Sequence, residues 1–216
     1  MKITFKTEII PLLVLAITVA ASFYFYSVFP ERVPVHWGIT GQVDGWGSRA
    51  TGAFAIPGML VGMYILFLVL PYLDPKRERY EQFAKTYLTF RTLIISFLAV
   101  IYFIASLSAM GYNISVGFWI PILVGLLFVF IGNFLAKVKM NWFMGIRTPW
   151  TMSSEEVWNK THRAGSKMFI LAGLLMMLTA FVAPIMKVIV FITAMVIILG
   201  GTIGYSYWLY RGLKNK

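Results

Sequence analysis

Two short stretches hold most of the side chains in this sequence that can do chemistry. The first, VPVHWGITGQVDGWGSR (Val33 to Arg49), sets one histidine, one aspartate and one arginine among four glycines and two tryptophans. His36 and Asp44 can be read as metal ligands, as an imidazole–carboxylate pair for acid–base work, as contacts for an external ligand, or as a structural hydrogen bond. Two ligands fall short of the three or four protein groups a zinc site takes. The prolines at 30 and 34 and the glycines at 38, 41, 45 and 47 specify a folded cap more than a loose linker. Trp37 and Trp46 suit anchoring at a lipid headgroup level.

The second stretch is NWFMGIRTPWTMSSEEVWNKTHRAGSK, Asn141 to Lys167. Gly145 and Pro149 break regular structure, and Ser153 with Glu156 three residues on predicts a capping box for a following helix that runs into an apolar segment. Glu156 and Lys160 are four apart, as are Trp158 and His162, while Glu155, Asn159 and His162 share a helical face. One reading is an amphipathic helix lying on the membrane, with Arg147 and Arg163 touching phosphates. The other is a cytoplasmic docking surface or gate that also uses Trp150. Neither stretch contains a phosphate-binding glycine loop, a zincin helix or a nucleophile elbow. Cysteine is absent, so disulfides and thiol chemistry are excluded. No catalytic residue, metal or cofactor is expected, and the chain is not expected to be an enzyme.

The elements that must carry these stretches are membrane helices. Hydrophobic residues make up 59% of the 216-residue chain and charged residues only 12%, against roughly 25% charged in soluble domains; the mean hydropathy is +0.79. Apolar runs cover 9–29, 52–73, 92–110, 116–136, 168–186 and 188–209, each about 19 to 22 residues. At ~1.5 Å per residue each crosses a hydrocarbon core of roughly 30 Å. The expected fold is therefore all-α, a polytopic membrane protein of six transmembrane helices. Pro184 and Lys187 in APIMKV predict a short turn between the last two spans. Lys2 and Lys6 precede a run too long for a signal peptide, so the first helix reads as an uncleaved anchor.

Charge sets the expected orientation. Sixteen basic residues (Lys2, Lys6, Lys76, Arg77, Arg79, Lys85, Arg91, Lys137, Lys139, Arg147, Lys160, Arg163, Lys167, Arg211, Lys214 and Lys216) fall on one side. Three, Arg32, Arg49 and Lys187, fall on the other. Both termini are thus expected in the cytoplasm and the first stretch outside. The net charge of +11 then reflects attraction to anionic lipid, not binding of nucleic acid.

The expected organisation is an N-terminal two-helix membrane unit, 1–73, with extracellular loop 30–51, and a four-helix unit, 74–216, with cytoplasmic loop 137–167. Between them DPKRERYEQFAKTYLTFR reads as a juxtamembrane helix capped by Asp74. Its stripe of Tyr80, Phe83, Tyr87 and Phe90 is expected to anchor it against membrane or bundle. Aromatic belts are expected at Phe23 to Phe29 and at Tyr205 to Tyr210. Gly58, Gly62, Gly200, Gly201 and Gly204 are read as sites of close helix contact. The spans carry almost no ionisable group, Asn133 being an isolated polar residue, which disfavours an ion-coupled carrier.

With both stretches in view, the chain resembles bacterial membrane proteins of the SdpI type. VPVHWGITGQVDGWGSR is similar to the signature of the membrane domain of unassigned function that begins many of them, and MGIRTPWTMSSEEVWNKTHRAGSKMF to their second signature. Pro34, His36, Gly41 and Asp44 match the first. Gly145, Arg147, Pro149, Trp158, Asn159, His162 and Arg163 match the second. The resemblance implies a multi-pass protein of the bacterial cell membrane that gives immunity to a secreted peptide toxin outside. It also implies signalling by holding a cytoplasmic autorepressor at the membrane. Pro34, His36, Gly41, Asp44, Trp46 and Arg49 would form the outer recognition or structural loop. Gly145, Arg147, Pro149, Trp150, Glu155, Trp158, Asn159, His162 and Arg163 would form the cytoplasmic surface. The alternative is a small-molecule or lipid transporter, or a membrane enzyme, using the His36 and Asp44 loop. Membrane lipids are the remaining expected partner, and no direct contact with nucleic acid is expected.

Overall fold

The computed structural model describes residues 4–214. Lys2 and Lys216, two of the charges used above for orientation, lie outside the described residues. Among the described residues eight α-helices occur in the order α1 (Phe5–Val28), α2 (Arg49–Leu73), α3 (Ala84–Ala109), α4 (Val116–Leu135), α5 (Pro149–Ser153), α6 (Glu155–Leu178), α7 (Pro184–Met195) and α8 (Gly201–Lys214). Between α1 and α2 two strands, β1 (Arg32–Trp37) and β2 (Val43–Ser48), form an antiparallel hairpin. Six helical stretches are long and apolar enough to cross a membrane: Phe5–Val28, Arg49–Leu73, Arg77–Ala109, Val116–Leu135, Glu155–Phe181 and Pro184–Lys214.

The count of six matches the apolar pattern; the boundaries differ where polar residues join a helix. α6 runs unbroken from Glu155, so the helix expected to lie on the membrane is the first part of the fifth span. Pro184 and Lys187 belong to the first turn of α7, not to the turn itself, which falls just before them. Proline at the first helical position has no intrahelical donor to lose and a φ already suited to the helix. α7 and α8 are joined by a π-helical turn, Val196–Gly200.

The chain groups into two compact units. The first, the hairpin unit, holds residues 4–69 and 88–120 of the described chain. α1 stops at Phe29, whose extended backbone is what the following Pro30 imposes. The hairpin then turns back, and Ser48 Oγ accepts from the Thr51 N–H at 3.2 Å to cap α2. Gly41 lies in the left-handed region at φ 80°, and a Cβ there would stand 3.0 Å from Gly117 Cα. The hairpin turn therefore rests on the first turn of α4, and only glycine fits. Two buried clusters fill this unit. Leu15, Leu60, Tyr64, Ile95 and Ala99 form one; Phe25, Phe29, Val33, Ala53 and Tyr102 form the other. Val33 is 1% exposed, so the hairpin is plugged into the second cluster by its inward face.

The second, the loop unit, holds residues 70–87 and 121–214. α4 and α6 pack closely: a Cβ on Gly173 would meet the Gly125 carbonyl oxygen at 2.5 Å, and one on Gly132 would meet the Ser166 oxygen at 2.8 Å. These are the small-residue contacts that let backbones approach in a membrane. The glycines expected to do this mostly do not. A Cβ at Gly58, Gly62 or Gly204 would meet nothing within 4 Å, while Gly201 faces Met168. The 3-10 segment Arg77–Phe83 replaces the first part of the expected juxtamembrane helix. Tyr80, Phe83 and Tyr87 are buried inside the unit and not laid against lipid.

Candidate functional site

In the hairpin, the Arg49 N–H donates to the Glu31 carbonyl at 3.1 Å, and the strands pair Arg32 with Ser48, Val33 with Gly47 and Pro34 with Trp46. Side chains alternate across the sheet. Val33 goes inward, while Arg32, Asp44, Trp46 and Ser48 are exposed. A register shift between Pro34 and His36 brings His36 opposite Gly45. His36 Nδ1 then sits 2.5 Å from Asp44 Oδ1, with the side chains 71% and 52% exposed. Trp46 is 54% exposed across from Pro34. The result is a solvent-facing patch: a hydrogen-bonded imidazole–carboxylate pair beside a flat apolar Pro34–Trp46 step, with Arg32 at its edge. Gly41 supports the turn and Arg49 opens α2. Behind the sheet lies a small apolar cavity of about 130 Å³ between the Val33 to Trp37 strand and the α2 and α3 side chains. Among the described residues no three His, Asp or Glu side chains gather as a metal site would require.

The second stretch folds from the inside out. Asn141 is fully buried. Its Nδ2 donates to the Lys139 and Met144 carbonyls at 2.8 and 2.9 Å, and its Oδ1 accepts from the Phe143 and Met144 N–H groups at 2.9 and 2.7 Å. All of its hydrogen-bonding capacity goes into shaping the loop. Asp74 braces the same loop, its Oδ2 accepting from the Trp142 N–H at 2.9 Å and the Tyr80 hydroxyl at 3.0 Å. Its Oδ1 accepts from the Lys76 N–H at 2.8 Å, which closes the turn before the 3-10 segment; the N-cap of that segment is Lys76 and not Asp74 as expected. Gly145 lies at φ 113° with its α-carbon so close to His162 Nε2 and the Trp158 ring that a Cβ has no room.

Trp158 and His162 are both fully buried and stacked at 4.0 Å. The indole N–H donates to the Val138 carbonyl at 2.8 Å. His162 Nε2 accepts from the Ile146 N–H at 3.0 Å, so Nδ1 carries the proton and donates to the Trp158 carbonyl at 2.8 Å. Both ring nitrogens are committed to backbone. These two residues are the pillar on which the loop hangs, and they are not part of any accessible docking surface. Thr148 caps α5, accepting from the Thr151 N–H at 3.2 Å, with Pro149 at the first helical position. The helix cap expected at Ser153 is instead Ser154, which accepts from the Val157 N–H at 3.4 Å. Ser153 ends α5 and bonds back to the Pro149 carbonyl, so the box with Glu156 does not form. Glu156 instead receives Lys160 at 2.6 Å, the expected i,i+4 pair.

Of the residues expected on the cytoplasmic surface, Gly145, Arg147, Pro149, Glu155, Asn159 and Arg163 are exposed, and Trp150 is half-buried against Tyr207 at 5.0 Å. Arg147 donates to the Trp142 carbonyl and Glu155 pairs with Arg79. Asn159 shares a helical face with Glu155, but His162, on the same turn spacing, points inward.

One polar cluster escapes the sequence reading. Arg91, counted above as a loop charge, is fully buried in the hairpin unit, and its Nη2 donates to Glu8 Oε1 at 2.6 Å. The Tyr64 hydroxyl donates to Glu8 Oε2 at 2.6 Å, Thr7 Oγ1 donates to Oε1 at 2.9 Å, and the Arg91 guanidinium lies 5.5 Å from the Tyr64 ring. The spans are thus not free of ionisable groups. The available signal is the acidic residue in the first turns of α1, since an unpaired carboxylate is not left against an apolar helix bundle.

Comparison with known proteins bears on both stretches. Residues 137–207 match the SdpI/YfhL protein family, and residues 13–61 match a domain of unknown function, DUF1648. Over 211 residues, 98% of this chain and 99% of the relative, the sequence is 23% identical to the immunity protein SdpI of Bacillus subtilis (strain 168). No solved structure matches the chain. The 13–61 segment contains the hairpin, and the 137–207 segment contains the Gly145 to His162 pillar.

Proposed function

We propose, from the premise that this chain belongs to the SdpI/YfhL family of multi-pass bacterial membrane proteins, that it gives its cell immunity to a secreted peptide toxin. The observation that carries the reading is similarity to an immunity protein along nearly the whole of both chains. The excess of basic residues outside the hairpin supports an outward-facing hairpin. The toxin is then met by the exposed patch of His36, Asp44, Trp46 and Arg32. Pro34, Gly41 and Arg49 set its shape.

On the cytoplasmic face, Arg147, Trp150, Glu155, Asn159 and Arg163 offer a mixed-charge surface on which a repressor is held during signalling. Gly145, Pro149, Trp158 and His162 serve that surface by fixing its backbone. A transporter or enzyme working through His162 is disfavoured, because neither ring nitrogen is available to a substrate.

The test is expression in Bacillus subtilis lacking its SdpI, grown beside wild-type producing cells. Protection is expected, with His36→Ala and Asp44→Ala losing it at equal membrane levels. Equal killing of cells with and without the chain, at a membrane level matching that of SdpI, overturns the proposal.

A further inference from the structure

The loop unit contains an open groove of about 460 Å³ whose apolar walls have no part in the roles proposed above, although Arg147 and Trp150 of the proposed repressor surface also line it. It is lined by Phe169 of α6, Ile198 and Leu199 of the π-turn and Ile203 of α8, together with Arg147 and Trp150, of which Arg147 is exposed. The groove is graded in polarity. Along α6 the side chains of Lys160, Arg163 and Lys167 are exposed, and from Met168 onward the helix is apolar. Phe169 lies just past that change, so the groove straddles the level where headgroups give way to hydrocarbon.

Three observations bear on the occupant. No carboxylate lines the groove, and Arg147 gives it a fixed positive charge. The apolar wall opens sideways, since Leu199 and Ile203 are 57% and 47% exposed. Finally, the wall is built by a π-helical turn, a widening of the helix that is rare and is frequent at functional sites.

Size separates the candidates. One turn of a helix, ~10 Å across and 5.4 Å long, occupies roughly 420 Å³, so a partner helix would exhaust the groove in a single turn. At ~30 Å³ per water-sized group, the same space takes about fifteen methylene-sized groups, the scale of one acyl chain. A free anion would leave the apolar wall without purpose.

We propose that this groove is a specific site for one anionic phospholipid, its phosphate on the Arg147 guanidinium and an acyl chain along Phe169, Ile198, Leu199 and Ile203. Trp150, packed on Tyr207, flanks the glycerol level as interfacial tryptophans do. The site rests on the groove's own geometry and not on the toxin reading, and it shares Arg147 and Trp150 with the proposed repressor surface.

The full chain is reconstituted with phosphatidylcholine alone or with phosphatidylglycerol added, extracted in mild detergent, and weighed by native mass spectrometry. One phosphatidylglycerol per chain is expected to survive extraction, preferred over phosphatidylcholine by at least roughly fivefold, the scale of one arginine facing an anionic headgroup. Arg147→Gln should abolish the preference and Arg147→Lys should keep part of it. Ile203→Trp, which fills the groove, should lose retained lipid of either kind. Equal retention of the two lipids, or an unchanged preference in Arg147→Gln, overturns the proposal. If Arg147→Gln does not fold, Ile203→Trp decides: continued retention of phosphatidylglycerol overturns the site. Displacement of the lipid by glycerol phosphate as readily as by phosphatidylglycerol also overturns it, since the acyl wall would then contribute nothing.

Discussion

Replacing Arg91 with leucine should destabilise the hairpin unit severely. Glu8 is 7% exposed and Arg91 fully buried, so removing the guanidinium strands a carboxylate away from water with only the neutral donors of Tyr64 and Thr7. Breaking a buried ion pair from one side costs about 3–5 kcal/mol. Two remaining donors pull this towards the lower figure, while loss of the guanidinium over the Tyr64 ring adds ~1 kcal/mol. A loss of about 3–5 kcal/mol is expected overall, or roughly 6–12 °C in Tm at the lower end for a chain of this size. Removing both charges is a different matter. Glu8→Leu with Arg91→Leu, and Tyr64→Phe to avoid an orphaned hydroxyl, leaves an apolar cluster continuous with Leu15, Leu60 and Ile95. That variant should unfold within ~1 kcal/mol of the unaltered protein or above it. The assay is unfolding in mild detergent titrated with dodecyl sulfate, followed by tryptophan fluorescence. A loss under ~1 kcal/mol for Arg91→Leu, or a triple variant no better than the single one, would refute the reasoning.

Gly145→Ala should cost at least about 1–3 kcal/mol, because the φ of 113° and the approach to His162 both exclude a Cβ; the same unfolding titration measures it. Helix packing gives an internal contrast: Gly173→Ala should destabilise, whereas Gly58→Ala and Gly62→Ala, with open space around them, should gain about 0.5–1 kcal/mol. His36→Ala and Asp44→Ala should change stability by no more than ~1 kcal/mol, since the pair is solvent-exposed. Their loss of immunity at normal melting temperature would separate recognition from folding, and a large drop in Tm would return the pair to a structural role. Trp158→Phe removes the donor to the Val138 carbonyl and should cost about 1–3 kcal/mol, read by melting temperature and by faster proteolysis of the 138–150 loop.

Hydropathy alone makes the six spans legible, because each apolar run exceeds what a buried soluble helix needs. It reads boundaries poorly where a helix changes from polar to apolar part-way. α6 is one helix from Glu155, but only its apolar part registers as a span. The hairpin is legible as a folded cap and not as strands, although Val33, Val35 and Trp37 do alternate with Arg32, Pro34 and His36. Four glycines dilute that period, and glycine is a poor strand former. The cap at Ser154 in place of Ser153 turns on α5, a short helix whose start at Thr148–Pro149 uses up Ser153. The Glu8–Arg91 pair is invisible to any window average. Each residue sits at the edge of an apolar run, where a charge is counted as flank, and only the tertiary fold brings together positions 83 apart.

Burial divides each stretch into residues that build and residues that meet something. In the second stretch Asn141, Gly145, Thr148, Thr151, Trp158 and His162 are tied to backbone or to one another, so they fix the shape of the loop. Arg147, Asn159 and Arg163 face outward and are the side chains left open to a partner under the proposed function. The hairpin shows the same division on a smaller scale: Val33 and Gly41 lock it to helices, leaving His36, Asp44 and Trp46 exposed. Under the immunity reading, discrimination between toxins falls to the exposed hairpin side chains, and substitutions at His36, Asp44 or Trp46 should alter it while the buried Val33 and Gly41 set only the hairpin's position.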